Sequence, residues 1–156
     1  MPDITVEVTV PHPASDVWAQ LRQIERHVEW MSDAESITFH GDQREGIGTS
    51  FDCRTKIGPL VTTDMMTITR WDDEVAMGVT HRGIFTGRGE FVLNGDGVST
   101  RITWHEGLTF PWWCGGVVGA TLARPILRAI WKKNLARLRV LLDSPTSGES
   151  RRTDEN

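Results

Sequence analysis

The chain has 156 residues, 38% of them apolar and 24% charged, with 17 Lys and Arg against 21 Asp and Glu for a net charge of −4. This is the composition of one soluble domain with room for a real core, and an acidic balance without a recognisable binding motif excludes nucleic acid as a partner. The opening MPDITVEVTV carries no signal-peptide block and no membrane-length apolar run, and two cysteines without CxxC spacing read as reduced thiols, so a cytoplasmic location without stable membrane insertion is expected.

Ile4, Val6, Val8 and Val10 alternate with Thr5, Glu7 and Thr9, the period-two signal of a strand with one buried face. Pro11 and Pro13 end it. From Ala14 the pattern turns helical, with Val17, Trp18, Leu21 and Ile24 on one side, and after a break near Gln23 a second short helix passes through Val28 and Trp30. From Glu35 to Phe110 β-type runs are separated by turn signals at Gly58-Pro59, Asp72-Asp73, Arg82-Gly83 and Asn94-Gly95-Asp96-Gly97. This predicts about six further antiparallel strands.

The last long helix is expected over 112–143. Gly116, Ala120, Ala123, Leu127, Ile130, Asn134, Leu138 and Leu141 recur at spacings of three and four and so share one buried face. The first half of that face is Gly and Ala, the second half Leu and Ile. The gradient predicts loose packing, and hence a ligand cavity, at the N-terminal half. Asn134 on this face needs a partner, a sheet backbone group or a buried water. Trp112 and Trp113, followed by Cys114-Gly115-Gly116, are expected to form a lid, with Pro125, Gly115, Gly116 and Gly119 letting the first turns swing. The helix is also basic: residues 112–143 hold 6 Lys and Arg against 1 acidic residue, whereas residues 1–111 hold 9 against 17. Arg124, Arg128, Lys132 and Arg139 form a stripe on its outer face. The domain is expected to span 1–143, followed by a polar, disordered tail over 144–156.

Hairpin register locates the candidate site. A two-residue turn at Gly58-Pro59 pairs Thr55 with Thr62, Cys53 with Asp64 and Phe51 with Met66. A turn at Asp72-Asp73 pairs Ile68 with Met77, Met66 with Val79 and Asp64 with His81, keeping Val75 on the same side. A turn at Asn94–Gly97 pairs Phe91 with Thr100, Gly89 with Ile102, Gly87 with Trp104 and Phe85 with Glu106. Joined through Gly83, these put Cys53, Asp64, His81, Phe85 and Glu106 in one row across a concave face. A carboxylate such as Glu106 between Trp104 and Leu108 must find a partner, stay wet or take a raised pKa. The ligand wall is assigned to Phe51, Met66, Met77, Val79, Phe85, Gly87, Gly89 and Trp104 on the sheet, and to Trp112, Gly116, Ala120, Ala123 and Leu127 on the helix. The histidines, at 12, 27, 40, 81 and 105, show no ligand spacing, so neither metal nor cofactor is implied.

The segments EVTVPHPASDVWAQL, Trp30, the hairpin GDGVSTRITWHEG and the closing NLARLRVLLD resemble, in that order and over nearly residues 1–143, the START-like helix-grip (SRPBCC) superfamily, in particular its polyketide cyclase/dehydratase and lipid-transport branch. The resemblance implies an α+β fold: a curved seven-stranded antiparallel sheet wrapped around the C-terminal helix, with two short helices between strands one and two. It implies a cavity and leaves the reaction open, because the superfamily shares no catalytic motif. Three functions therefore stand at this stage. The chain carries or binds a small hydrophobic molecule, a lipid, isoprenoid or polyketide-like ring. Alternatively it is a cyclase, aromatase or dehydratase in which His81 or Glu106 moves a proton and Asp64 orients His81. The third is an interaction module docking an acidic partner through the basic helix. Monomer and weak homodimer are both compatible with the sequence.

Overall fold

The computed structural model describes residues 3–144. Strand β1 (Asp3–Val10) leads into helix α1 (Ala14–Leu21) and a 3-10 helix (Ile24–Glu29), followed by β2 (Ala34–Phe39), β3 (Ser50–Ile57), β4 (Leu60–Asp72), β5 (Ala76–Arg82), β6 (Thr86–Gly95) and β7 (Thr100–Thr109). A 3-10 turn (Trp112–Cys114) then precedes helix α2 (Gly116–Asp143). The strands form one antiparallel sheet in the order β1-β7-β6-β5-β4-β3-β2. Each strand after β2 follows its neighbour by a hairpin, while β1 closes the far edge against β7. Local sequence explains the pieces: alternation buries Ile4, Val6 and Val10 of β1, and Pro13 occupies the N-cap of α1 with extended backbone. The expected polar tail lies outside the described residues, apart from Ser144.

The core sits between the concave sheet face and α2. Trp131, Leu135 and Leu138 are buried on the helix, in one core with Trp104, Phe91 and Ile102 of the sheet, Trp18 and Leu21 of α1 and Trp30 at the end of the 3-10 helix. Rings interlock across this layer: Trp104 stacks near Trp131 with centroids 5.3 Å apart, and Phe91 lies 4.9 Å from Trp104. Asn134 is fully buried, and its described partners lie in the segment before β2 instead of the sheet backbone. Its Oδ1 accepts from the Ser32 amide and hydroxyl, both at 2.9 Å, and its Nδ2 donates to Asp33 Oδ1 at 2.7 Å. The helix is thereby pinned to the segment that feeds β2.

The two halves of α2 differ. Ala120 and Leu127 are buried in the first half, but Val117, Val118, Leu122 and Ile126 are exposed, as are Trp112 and Trp113 before it. The long helix starts at Gly116 rather than at 112, because Gly115 takes a left-handed φ of 88° that closes the 3-10 turn. A side chain at Gly119 would put its Cβ 2.0 Å from the Cys114 carbonyl oxygen. The glycines here serve close packing of the helix start on the preceding turn, in place of the loose end expected from their size. Among the described residues, no helix is long and apolar enough to cross a membrane.

Register departs from expectation in two places. The β3–β4 hairpin pairs as anticipated, Cys53 with Asp64 and Phe51 with Met66. Between β4 and β5 the reversal takes three residues, Glu74 adopting a φ of 63°, and a bulge falls between Ile68 and Arg70. Met66 therefore faces His81 and Ile68 faces Val79, while Asp64 lies beyond the end of the pairing and Val75 is exposed. Between β6 and β7 the turn sits later than expected, because Asp96 Oδ1 accepts from the amides of Val98 at 2.9 Å and Ser99 at 2.8 Å. Gly95 pairs with Thr100, Phe91 with Trp104, Gly89 with Glu106 and Gly87 with Leu108. The anticipated single row is thus split over successive rungs of the concave face.

Candidate ligand-binding site

A cavity of about 280 Å³ opens between the concave sheet and α2. Phe51, Met66, Met77, Val79, Phe85, Gly89 and Trp104 border it from the sheet, and Ala123 and Leu127 from the helix. Four of the expected wall residues do not. Gly87 turns toward β7, where a Cβ would come 1.8 Å from the Gly107 carbonyl oxygen. Trp112 projects into solvent at 87% exposure, so it is not core, and Gly116 and Ala120 lie on the helix start that packs over the 3-10 turn. The cavity meets α2 through Ala123, Ile126 and Leu127 in its first half and Trp131 just beyond, past the Gly116 and Ala120 positions expected to line it. It reaches the surface where Leu60 and Ile126 border it and stay exposed.

His81, Glu106 and Asp64 all border the cavity, inside the sheet's concave face. The Glu106 carboxylate is held at both oxygens. Trp104 Nε1 donates to Oε2 at 2.7 Å, and His81 Nε2 lies 2.5 Å from Oε1 in an ion pair that lacks hydrogen-bond alignment. This contact crosses a strand. His81 is on β5 and Glu106 on β7, and spacings of about 4.8 Å put those strands about 10 Å apart. The two side chains meet because β6 presents glycine between them: Gly87 pairs with His81 and Gly89 with Glu106. A Cβ on Gly89 would stand 2.5 Å from Glu106 Oε2.

Burial lowers the His81 pKa, but the charge of Glu106 and, less strongly, that of Asp64 more than offset it, leaving the imidazole raised above its usual value. Asp64 does not face His81 directly. Its carboxylate instead lies over Gly83, where a Cβ would fall 1.9 Å from Oδ1. Burial raises its pKa, against the pull of His81, the nearby Ile84 and Phe85 amides and the Thr62 hydroxyl. Oδ2 takes a long 3.5 Å bond from Thr62, and Oδ1 makes no aligned hydrogen bond among the described residues.

Several polar wall residues escaped the sequence reading. Asp33 borders the cavity with its pKa raised by burial, opposed by the bond from Asn134. His27 borders it too, and Nε2 sits 2.7 Å from the Leu21 carbonyl oxygen. A carbonyl only accepts, so this nitrogen carries the proton, and full burial lowers the ring's pKa to about 4. Cys53, which the sequence does place on the concave face, has its thiol pushed up to about 11 chiefly by burial and stays protonated. Asp33 and His27 lie on irregular or 3-10 backbone without a period to read. The available signal was Asn134, a polar residue on an apolar helix face whose demand for partners pointed to some polar group opposite. Among the described residues, no cluster of three or more His, Cys, Asp or Glu is arranged to hold a metal ion.

A curved sheet gripping a long helix, with a mostly apolar cavity between them, defines a helix-grip domain. Residues 1–143 match the family model described as polyketide cyclase / dehydrase and lipid transport, and the chain belongs to that family. Among solved structures it is similar to TTHA0849 from Thermus thermophilus, with 20% identity over 92% of this chain and 100% of that one and a TM-score of 0.76. It is similar to the Zhui aromatase/cyclase from Streptomyces sp. R1128, with 18% identity, 90% of each chain and a TM-score of 0.65. The di-domain ARO/CYC StfQ of the steffimycin biosynthetic pathway shares the fold at 12% identity over 90% of this chain and 50% of that one, with a TM-score of 0.74. At these identities the likeness establishes fold alone. No curated protein sequence matches the chain.

Proposed function

We propose that this protein binds a small hydrophobic molecule in the cavity between sheet and α2, as a carrier or binding protein. The observation that supports this most directly is the cavity itself, about 280 Å³ with a wall of Phe, Met, Val, Leu and Trp around a few convergent polar groups. That is the composition usual for small-molecule sites, and the volume sits at the lower edge of a range of roughly 300–1,000 Å³, which favours a compact ligand. Organic extraction of the purified protein followed by mass spectrometry identifies any molecule that copurifies. Titration with sterols, isoprenoids and polycyclic aromatics is expected to change Trp emission, since Trp104 and Trp131 line the wall. The Ala123→Phe variant, which fills the space from the helix, abolishes the response if the cavity is the site. A flat response across the panel refutes the proposal and favours a module that docks through the exposed basic face of α2.

One observation favours a second reading, an acid–base enzyme of the cyclase or dehydratase kind: a largely buried imidazole and a buried carboxylate in contact inside the same cavity. In that reading His81 exchanges a proton with a carbonyl-bearing substrate, Glu106 holds the imidazole's charge, and Asp64 adds to the field that favours its protonated form. His81→Ala and Glu106→Gln then lower turnover by about 10²-fold or more with binding nearly unchanged. Altered binding with no turnover to lose identifies a carrier.

A further inference from the structure

The polar part of the cavity is one-sided. Asp33, Asp64 and Glu106 border it with a single basic partner, His81, and among the described residues no Lys or Arg reaches the wall. Of the acceptors, Glu106 is taken at both oxygens by Trp104 and His81, but Asp64 is 7% exposed and its Oδ1, though near the Ile84 and Phe85 amides, makes no aligned hydrogen bond among the described residues. His27, with Nε2 committed to Leu21, has only the acceptor Nδ1 left to offer. The donors are mostly spent: the Trp104 indole goes to Glu106 and the Asn134 amide to Asp33. Glu90, which also borders the cavity, is paired with Arg70. A buried acceptor without a donor costs free energy that a ligand donor recovers, whereas a ligand carboxylate brought among these groups meets like charge with little water to screen it.

We propose that the cavity selects ligands whose polar head donates hydrogen bonds and carries no negative charge, an alcohol, phenol or amine, and discriminates against fatty-acid carboxylates. This rests on the reading of the cavity as a ligand site and goes further by naming the head group. Asp64 Oδ1 is the principal acceptor, and the apolar wall takes the body of the ligand.

A matched ten-carbon series tests it at pH 7.5: 1-decanol, decylamine and decanoate, with decyl methyl ether as a head that accepts but cannot donate, each displacing the uncharged fluorophore N-phenyl-1-naphthylamine. Decanol and decylamine are expected to bind at least tenfold more tightly than decanoate, with the ether between them. In Asp64→Asn, of the same shape, decanoate is expected to gain and the spread to narrow. Decanoate binding as well as or better than decanol in the wild-type protein overturns the head-group assignment while leaving the cavity as the site. If the fluorophore and all four compounds fail to bind, both readings fall together. The wild-type series decides the matter alone should Asp64→Asn not fold.

Discussion

The two halves of α2 are made of the same helix and do opposite work. The second half is fixed by shape and by bonds, with Trp131, Leu135 and Leu138 at most 4% exposed and Asn134 tied to Ser32 and Asp33. The first half presents Val117, Val118, Leu122 and Ile126 to solvent, carries Pro125 without a break in the helix, and touches the cavity through Ala123, Ile126 and Leu127. The difference shows how one element can anchor a fold at one end and border an opening at the other: buried side chains hold the anchor, and their scarcity leaves the mouth free.

The sharpest way to break the comparison is truncation in the anchored half. Trp131→Ala is expected to cost about 3–5 kcal/mol and Leu138→Ala about 2–5 kcal/mol of stability in urea unfolding, whereas Leu122→Ala in the first half stays within about 0.5 kcal/mol. Equal losses in both halves would contradict it. Next in size is Asn134→Ala, which strands the Ser32 amide and the Asp33 carboxyl and is expected to cost about 1–3 kcal/mol, a loss that unfolding at fixed pH measures.

Protonation supplies a smaller and more specific effect. His81 has a folded pKa above its unfolded value near 6.5, so the stability it contributes is full below about pH 6.5 and is lost as pH rises through the raised value. Glu106→Gln removes the larger of the two charges that raise it, so that burial outweighs what Asp64 still adds. The His81 contribution to the stability slope is then expected to reverse sign, rising with pH as the buried ring becomes neutral, which unfolding between pH 5 and 9 measures against His81→Gln as a blank. The smallest expected change is in Pro125→Ala, where restoring a helix donor slows hydrogen exchange of amides in the first half of α2 and leaves the second half unchanged.

How much of this was legible in the sequence depends on period. Side chains on a strand alternate with a period of two, so the hydrophobic pattern fixes which face a residue occupies and says little about its rung. His81, Glu106 and Asp64 were placed on the concave face correctly for that reason. Their neighbours were not. Expectation paired Met66 with Val79 and Gly89 with Ile102, whereas Met66 faces His81 and Gly89 faces Glu106. The shifts are of two and four residues, both even, as they must be to keep Phe91, Leu93 and Trp104 buried. Odd shifts would have turned the core outward, and only turn chemistry separates the even ones. Asp96, rather than the Asn94-Gly95 pair, holds the β6–β7 turn, and a three-residue reversal with a bulge decides β4–β5. On the helix the small residues were recognised and their purpose misread: Gly115 and Gly119 allow backbone contact, which size alone does not distinguish from empty space.

The glycines of β6 have one more effect. Because that strand leaves a gap, the imidazole on β5 is joined through the Glu106 carboxylate to the indole on β7, and hydrogen-bonded groups in a low-dielectric interior polarise one another. Trp104 is consequently wired as an optical gauge of the cavity's charge: a proton leaving His81, or a guest drawing on Glu106, alters the field at a chromophore already packed 5.3 Å from a second one, Trp131.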